Sequence, residues 1–137
     1  MRAHDDYDYA VIRVVPRVER EEFVNVGVIL SCEAARYLEA RIELDEARLR
    51  ALDPAIDIEF LRLHLAAIQA VCRGGAAAGP IGLLPPRARF HWLTAKRSAV
   101  IQTSPVHTGR CTDLVAAMEH LMDRMVRVPG LPPPRTG

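Results

Sequence analysis

Aromatic residues make up only 5% of the 137-residue sequence, so its core must be aliphatic, assembled from Val, Leu, Ile and Ala. Lysine is nearly missing: Lys96 is the only one among 18 cationic residues, and the rest are arginine. A GC-rich genome accounts for that bias, although the arginine fork also suits carboxylates and phosphates. Neither sign of charge prevails, the formal net charge being +1. This argues against a dedicated duplex-DNA binder, whose affinity comes from clustered cations neutralising phosphates. The cysteines are Cys32, Cys72 and Cys111, odd in number and too widely spaced for the disulfide framework of a small secreted domain. No apolar run approaches the ~20 residues that span a bilayer. The polar, acidic start from Met1 to Asp8 has no signal-peptide core. A cytoplasmic protein with reduced thiols and no membrane contact is the expectation.

Standard catalytic signatures are missing as well. There is no phosphate-binding Walker loop, dinucleotide glycine pattern, nucleophile elbow or HExxH motif. His4, His64, His91, His107 and His120 stand far apart, without a cysteine or carboxylate at ligand spacing. Neither a metal nor a cofactor is expected.

What is present reads as one globular domain. Half of the residues are hydrophobic and 26% are charged, and the length suffices for one core. Residues 1–128 form the expected domain, and residues 129–137, rich in proline, an expected disordered tail. Tyr9–Val15, Phe23–Leu30 and Tyr37–Leu44 read as strands, the last alternating so that Leu38, Ala40, Ile42 and Leu44 share one face. Connections too short for crossover helices predict an antiparallel meander. A short helix is expected over 45–52 and a longer one from Asp57 to Arg73, stopped at Gly74-Gly75. Gly74 to Pro86 reads as a loop, Arg87 to Thr94 as an ambiguous segment, and Ala99–Thr103 as a fourth strand. Thr112 is a plausible N-cap for a last helix striped by Leu114, Met118, Leu121 and Met125. The fold class predicted is α+β: an antiparallel sheet of about four strands with two main helices packed on one face. So small a sheet leaves open a homodimer covering its other face.

Polar residues inside apolar strands are the first candidates for a site. Asn25 and Gly27 interrupt the second strand, and an unpaired buried amide costs roughly 1–3 kcal/mol. Either Gly27 kinks a β-bulge while Asn25 bonds local backbone, or Asn25 orients a ligand beside Arg13 and Glu22. Arg13 breaks the first strand, though alternation can place it on a solvent face. Residues 87–109 are the richest segment. Arg87, Arg89, Lys96 and Arg97 interleave with Phe90 and Trp92, a pattern suited to stacked bases and phosphates. Gln102, Thr103, Ser104, His107 and Thr108 then crowd a loop bounded by Pro105 and Gly109, where binding groups are commonly carried. The plain alternative makes Phe90 and Trp92 core anchors, the charges solvated and the loop a turn.

The strings YAVIRVVP at 9–16, EFVNVGVIL at 22–30, RFHWL at 89–93 and SPVHTG at 104–109 resemble the bacterial family DUF3037, over roughly residues 7 to 127. The resemblance implies a small accessory protein, because genes of this family often lie beside one for a HipA-like kinase. It also implies a shared polar site among Arg13, Glu22, Asn25, Trp92 and the 104–109 loop. Three functions are therefore carried forward. The first is a non-catalytic adaptor binding a larger enzyme, a HipA-like kinase in particular. The second is a nucleotide or single-stranded nucleic-acid binding module acting through Arg89, Trp92, Lys96 and Arg97. The third is a small enzyme with His107 as general acid or base, assisted by Glu22 and Asn25.

Overall fold

Apolar residues fill almost every position of the second strand, which leaves it no face for solvent. In the computed structural model, which describes residues 4–97 and 99–130, this strand is accordingly covered on both sides. The sheet is built from β1 (Asp5–Val14), β2 (Val24–Cys32), β3 (Tyr37–Ile42), β4 (Ile101–Thr103) and β5 (His107–Cys111). All pairings are antiparallel in the order β3-β2-β1-β4, and β5 also pairs β1. The expected fourth position is therefore filled twice: β4 lies along the second half of β1 and β5 along its first half.

Side chains alternate across a strand, and the core divides accordingly. Ile12, Val14, Ile29 and Leu38 point to one face, where they pack with Leu49 of α1 (Glu46–Leu52), Leu61 and Leu65 of α2 (Ile58–Arg73) and Phe90 of α3 (Pro86–Leu93). Val28, Leu30 and Cys32 point to the other, against Met118, Leu121 and Met122 of α4 (Leu114–Met125). The α+β class and the meander hold, but the helices lie on both faces rather than one. The reason is the strand composition: an almost wholly apolar β2 needs cover on each side, as strands of sandwiched sheets do. The face expected to be open to a second copy is the one α4 covers.

Local chemistry explains the helix limits. Asp45 and Asp57 cap α1 and α2 by accepting from the backbone N–H of Arg48 and Phe60, and Gly74 ends α2 at φ 77°. The last helix is capped by Asp113, not Thr112; its carboxylate accepts from both Val115 and Ala116. The glycine-rich connection after α2 folds into two short 3₁₀ turns, Ala76–Ala78 and Pro80–Leu83. Residues 131–137, most of the expected proline-rich tail, lie outside the described residues. No helix among the described residues is long and apolar enough to cross a membrane. Burial pushes the Cys72 thiol up to about 12, so it sits in the core as an inert apolar group.

Two features at the edge of β1 differ from the loop expected over 104–109. The Ser104 hydroxyl accepts from the N–H of Val11 at 2.9 Å, and the Ser104 N–H donates to the Val11 carbonyl at 2.8 Å. Ser104 thus splices β4 to β5 without leaving the backbone of β1 unsatisfied. Gly109 sits within β5 opposite Tyr7, and a Cβ there would come within 2.5 Å of the Tyr7 ring. The glycine serves to admit an aromatic ring, not to turn the chain.

Candidate functional site

Arg13 lies between Asn25 of β2 and Gln102 of β4 in the sheet register. Its guanidinium stacks on Phe23, 4.4 Å from the ring centroid, and its Nε is buried with no hydrogen-bond partner among the described residues. Such an orphan is uncommon, because buried polar groups are nearly always paired. Arg13 opens into a groove of about 680 Å³ at the end of the sheet, lined also by Phe23, Lys96, Arg97, Gln102 and Ser104. Lys96 and Arg97 reach it from the segment following α3. Glu21, held at φ 59° after a short 3₁₀ turn, is the one carboxylate in the lining. Among the described residues, none of Arg13, Lys96 and Arg97 is ion-paired. Arg87, by contrast, is paired with Asp8 at 2.5 Å. The groove therefore carries an excess of uncompensated positive charge.

Arg97 also borders a second cavity. Its guanidinium lies 4.6 Å from the centroid of the Trp92 ring, and Nη2 donates to the Trp92 carbonyl at 2.7 Å. Beyond it is an apolar cleft of about 560 Å³ between α2 and α3, lined by Phe60, His64, Ile68, Trp92, Arg97 and Val100. The two aromatic residues of α3 divide between opposite duties: Phe90 is fully buried as a core anchor, and Trp92 is 42% exposed.

A family model described as a protein of unknown function, DUF3037, matches residues 9–126. The chain belongs to that family. No curated protein and no solved structure matches it.

In this DUF3037 protein the fold gathers Arg13, Lys96, Arg97, Gln102 and Ser104 around one groove, with Trp92 next to it. Of these, Ser104 has its hydroxyl committed to Val11 and to the Pro105 carbonyl, so its part is structural. Other expected site residues go elsewhere. Asn25 does lie at the β-bulge, where the register shifts between Ile12 and Arg13. Its amide, however, donates neither to local backbone nor into the groove. It donates to the Met125 carbonyl at 2.9 Å, satisfying the last turn of α4, where carbonyls lack helical partners.

Arg89 is buried, and its guanidinium donates to the carbonyls of Leu84, Val71 and Cys72. It closes the C-terminus of α2 and lines neither the groove nor the cleft. Glu22 pairs with Arg20 at 2.6 Å on the surface. His107 and Thr108 are exposed on β5, opposite Tyr9 and Asp8, with the His107 ring 5.5 Å from that of Tyr9. Tyr9 and Val14 are five residues apart on β1, about 17 Å in a strand, and Val14 is the partner of Val24, next to Glu22 and Asn25. The fold does not bring His107, Glu22 and Asn25 together.

Phe23 and Phe60 are the residues that sequence reasoning did not place in a site. Phe23 follows the charged turn and reads as the start of a strand. Its stacking on Arg13 depends on the bulge register, which has no local signal. Phe60 falls within the apolar stripe of α2, yet is 44% exposed at the mouth of the cleft.

Proposed function

We propose that this protein is a non-catalytic binding module for a phosphate-bearing ligand held in the Arg13 groove. The observation carrying this reading is the Arg13 side chain in the groove lining, its buried Nε without a partner among the described residues, where Lys96 and Arg97 are likewise not ion-paired among them. Leaving a buried donor unsatisfied costs about 1–3 kcal/mol, and more when the group is charged. A phosphate oxygen offsets that cost and matches the guanidinium fork. The Gln102 side chain, which donates to the Ala99 carbonyl at 2.8 Å, steadies the groove wall.

The test is calorimetric titration with tripolyphosphate. Binding is expected to weaken as salt screens the groove. Arg13→Met should lower affinity at least tenfold, in line with the ~1.5–3 kcal/mol of a hydrogen bond to a charged group. Unchanged affinity in that variant, or no binding by the parent protein at millimolar concentration, sinks the reading.

An accessory role toward a larger enzyme, a HipA-like kinase in particular, is our second reading. Exposed Phe60 and Leu63, three residues apart on α2, favour it, since neighbouring exposed apolar side chains suit protein contact. Co-expression with such a kinase should give co-purification that Leu63→Glu abolishes. Independent elution of the two proteins rejects it.

A further inference from the structure

The polar groove and the apolar cleft share one side chain, Arg97. Resting on the phosphate-groove reading, we infer that the ligand is a mononucleotide: its phosphates lie against Arg13 and Lys96, and its base enters the cleft beside Trp92. The two cavities differ in the way the two ends of a nucleotide differ. One is lined by uncompensated cations. The other presents mainly apolar surface, from Phe60, Ile68, Trp92 and Val100 among others.

An inorganic phosphate or a sugar phosphate has nothing to place in such a cleft. A nucleobase has two apolar π-faces, and stacking on aromatic side chains is how proteins hold bases without reading their identity. At the cleft mouth, the Phe60 ring already lies 4.0 Å, centroid to centroid, from the ring of His64, tilted by 33°. Phe60 and His64 are thus a tilted, stacked aromatic pair on α2 in the lining of the cavity that Trp92 borders from α3.

Arg97 is the partition. It is exposed, carries no ion pair among the described residues, and rests its guanidinium on the Trp92 ring. A base arriving on Trp92 takes that stacking position, and the released guanidinium turns its fork to the phosphates in the groove it already borders. Binding of the two ends is thereby coupled: the base frees the cation that the phosphates then use. Arg97 is a positioning residue for the base and a contact for the phosphates.

Trp92 is the only tryptophan in the sequence, so its fluorescence reports on the cleft alone. The experiment titrates the protein with ATP, tripolyphosphate and a decauridylate, following fluorescence and heat. ATP is expected to bind at least tenfold tighter than tripolyphosphate and to quench Trp92, which tripolyphosphate leaves unchanged. Phe60→Ala, at an exposed position that the fold tolerates, should weaken ATP about tenfold and leave tripolyphosphate affinity as it was.

Equal affinity for ATP and tripolyphosphate without quenching overturns the inference and leaves the phosphate groove standing. Absence of binding by every ligand overturns both. Decauridylate binding tighter than ATP replaces the mononucleotide with single-stranded nucleic acid. A Phe60→Ala variant that weakens both small ligands equally also overturns the base-in-cleft placement.

Discussion

Replacing Arg127 with methionine is expected to lower the free energy of unfolding by about 3–5 kcal/mol, the usual cost of removing one partner from a buried ion pair. Arg127 follows α4, and its guanidinium forks onto Glu43, donating from Nε at 2.8 Å and from Nη2 at 2.5 Å. The Glu43 side chain is buried and that of Arg127 nearly so, at 8% and 13% exposure. The remaining donor reaches Asp123 at 2.7 Å and also Glu119. Without the arginine, Glu43 is left charged and enclosed. Domains of this size hold together by only about 5–15 kcal/mol, so urea denaturation should show a large fall in midpoint. Removing the burden as well, in Arg127→Met with Glu43→Leu, should recover most of the loss, because apolar replacement of a whole buried pair is often neutral. A loss below about 1 kcal/mol in the single variant would falsify this account of the clamp.

The same cluster sets a pH signature. The Arg127 guanidinium, hydrogen-bonded to Glu119, holds that carboxyl below its ordinary value of 4.5. A carboxylate whose folded pKa is depressed stabilises the fold fully above the ordinary value, and that stability drains away as pH falls through the lower folded value. Glu119→Gln should therefore flatten the acid limb of the stability curve below pH 4.5. Glu119 is half-exposed, so the contribution is under about 1 kcal/mol after solvent screening.

The second large effect is expected at Arg89. Its guanidinium donates to Leu84 from Nε at 2.9 Å, and to Val71 and Cys72 from Nη1 at 2.7 and 2.6 Å. Carbonyls at the end of a helix have no helical donors and carry the negative end of its dipole. A buried cation satisfied wholly by carbonyls is therefore stable there without a carboxylate. Hydrogen bonds to charged groups are worth roughly 1.5–3 kcal/mol each, and they overlap here. Arg89→Met should therefore cost about 3–4 kcal/mol and lower Tm by roughly 10 °C for a domain of this length. Arg89→Lys should recover little, since one ammonium cannot span three carbonyls in the plane the fork occupies. Amide exchange should quicken in the last turn of α2 and across residues 74–84. A melting curve within about 2 °C of the parent would refute the role.

Much of the architecture was legible because it rests on local rules. Asp57 and Gly74 bracket α2 as an acceptor at its start and a left-handed stop at its end, and β3 alternates visibly. That both faces of the sheet are covered was implicit in the apolar run of β2 over 26–30, although the sequence reading packed both main helices on one face. The site was less legible, for a geometric reason. Read along the chain, Arg87 to Arg97 is one basic–aromatic run. Wound into α3 at about 100° per residue, it sends Arg87 to Asp8, Arg89 and Phe90 into the interior and Trp92 to the surface. Lys96 and Arg97 survive as ligand candidates because they lie beyond the helix. Asn25 was left to local backbone or to a ligand because its actual partner, Met125, lies 100 residues away, a separation with no signature in spacing.

The splice at Ser104 bears on how the sheet edge resists pairing with other chains. A long bare strand at a sheet margin is a template on which other chains can polymerise. Here that margin is broken into a three-residue and a five-residue piece, with Pro105 between them and Arg110 projecting from the longer one. An intruding strand would find its ladder cut short by a residue that lacks an N–H, and then face a charge. The serine that closes the gap on the inner side keeps β1 whole, so the interruption protects against self-association without weakening the strand at the centre of the fold.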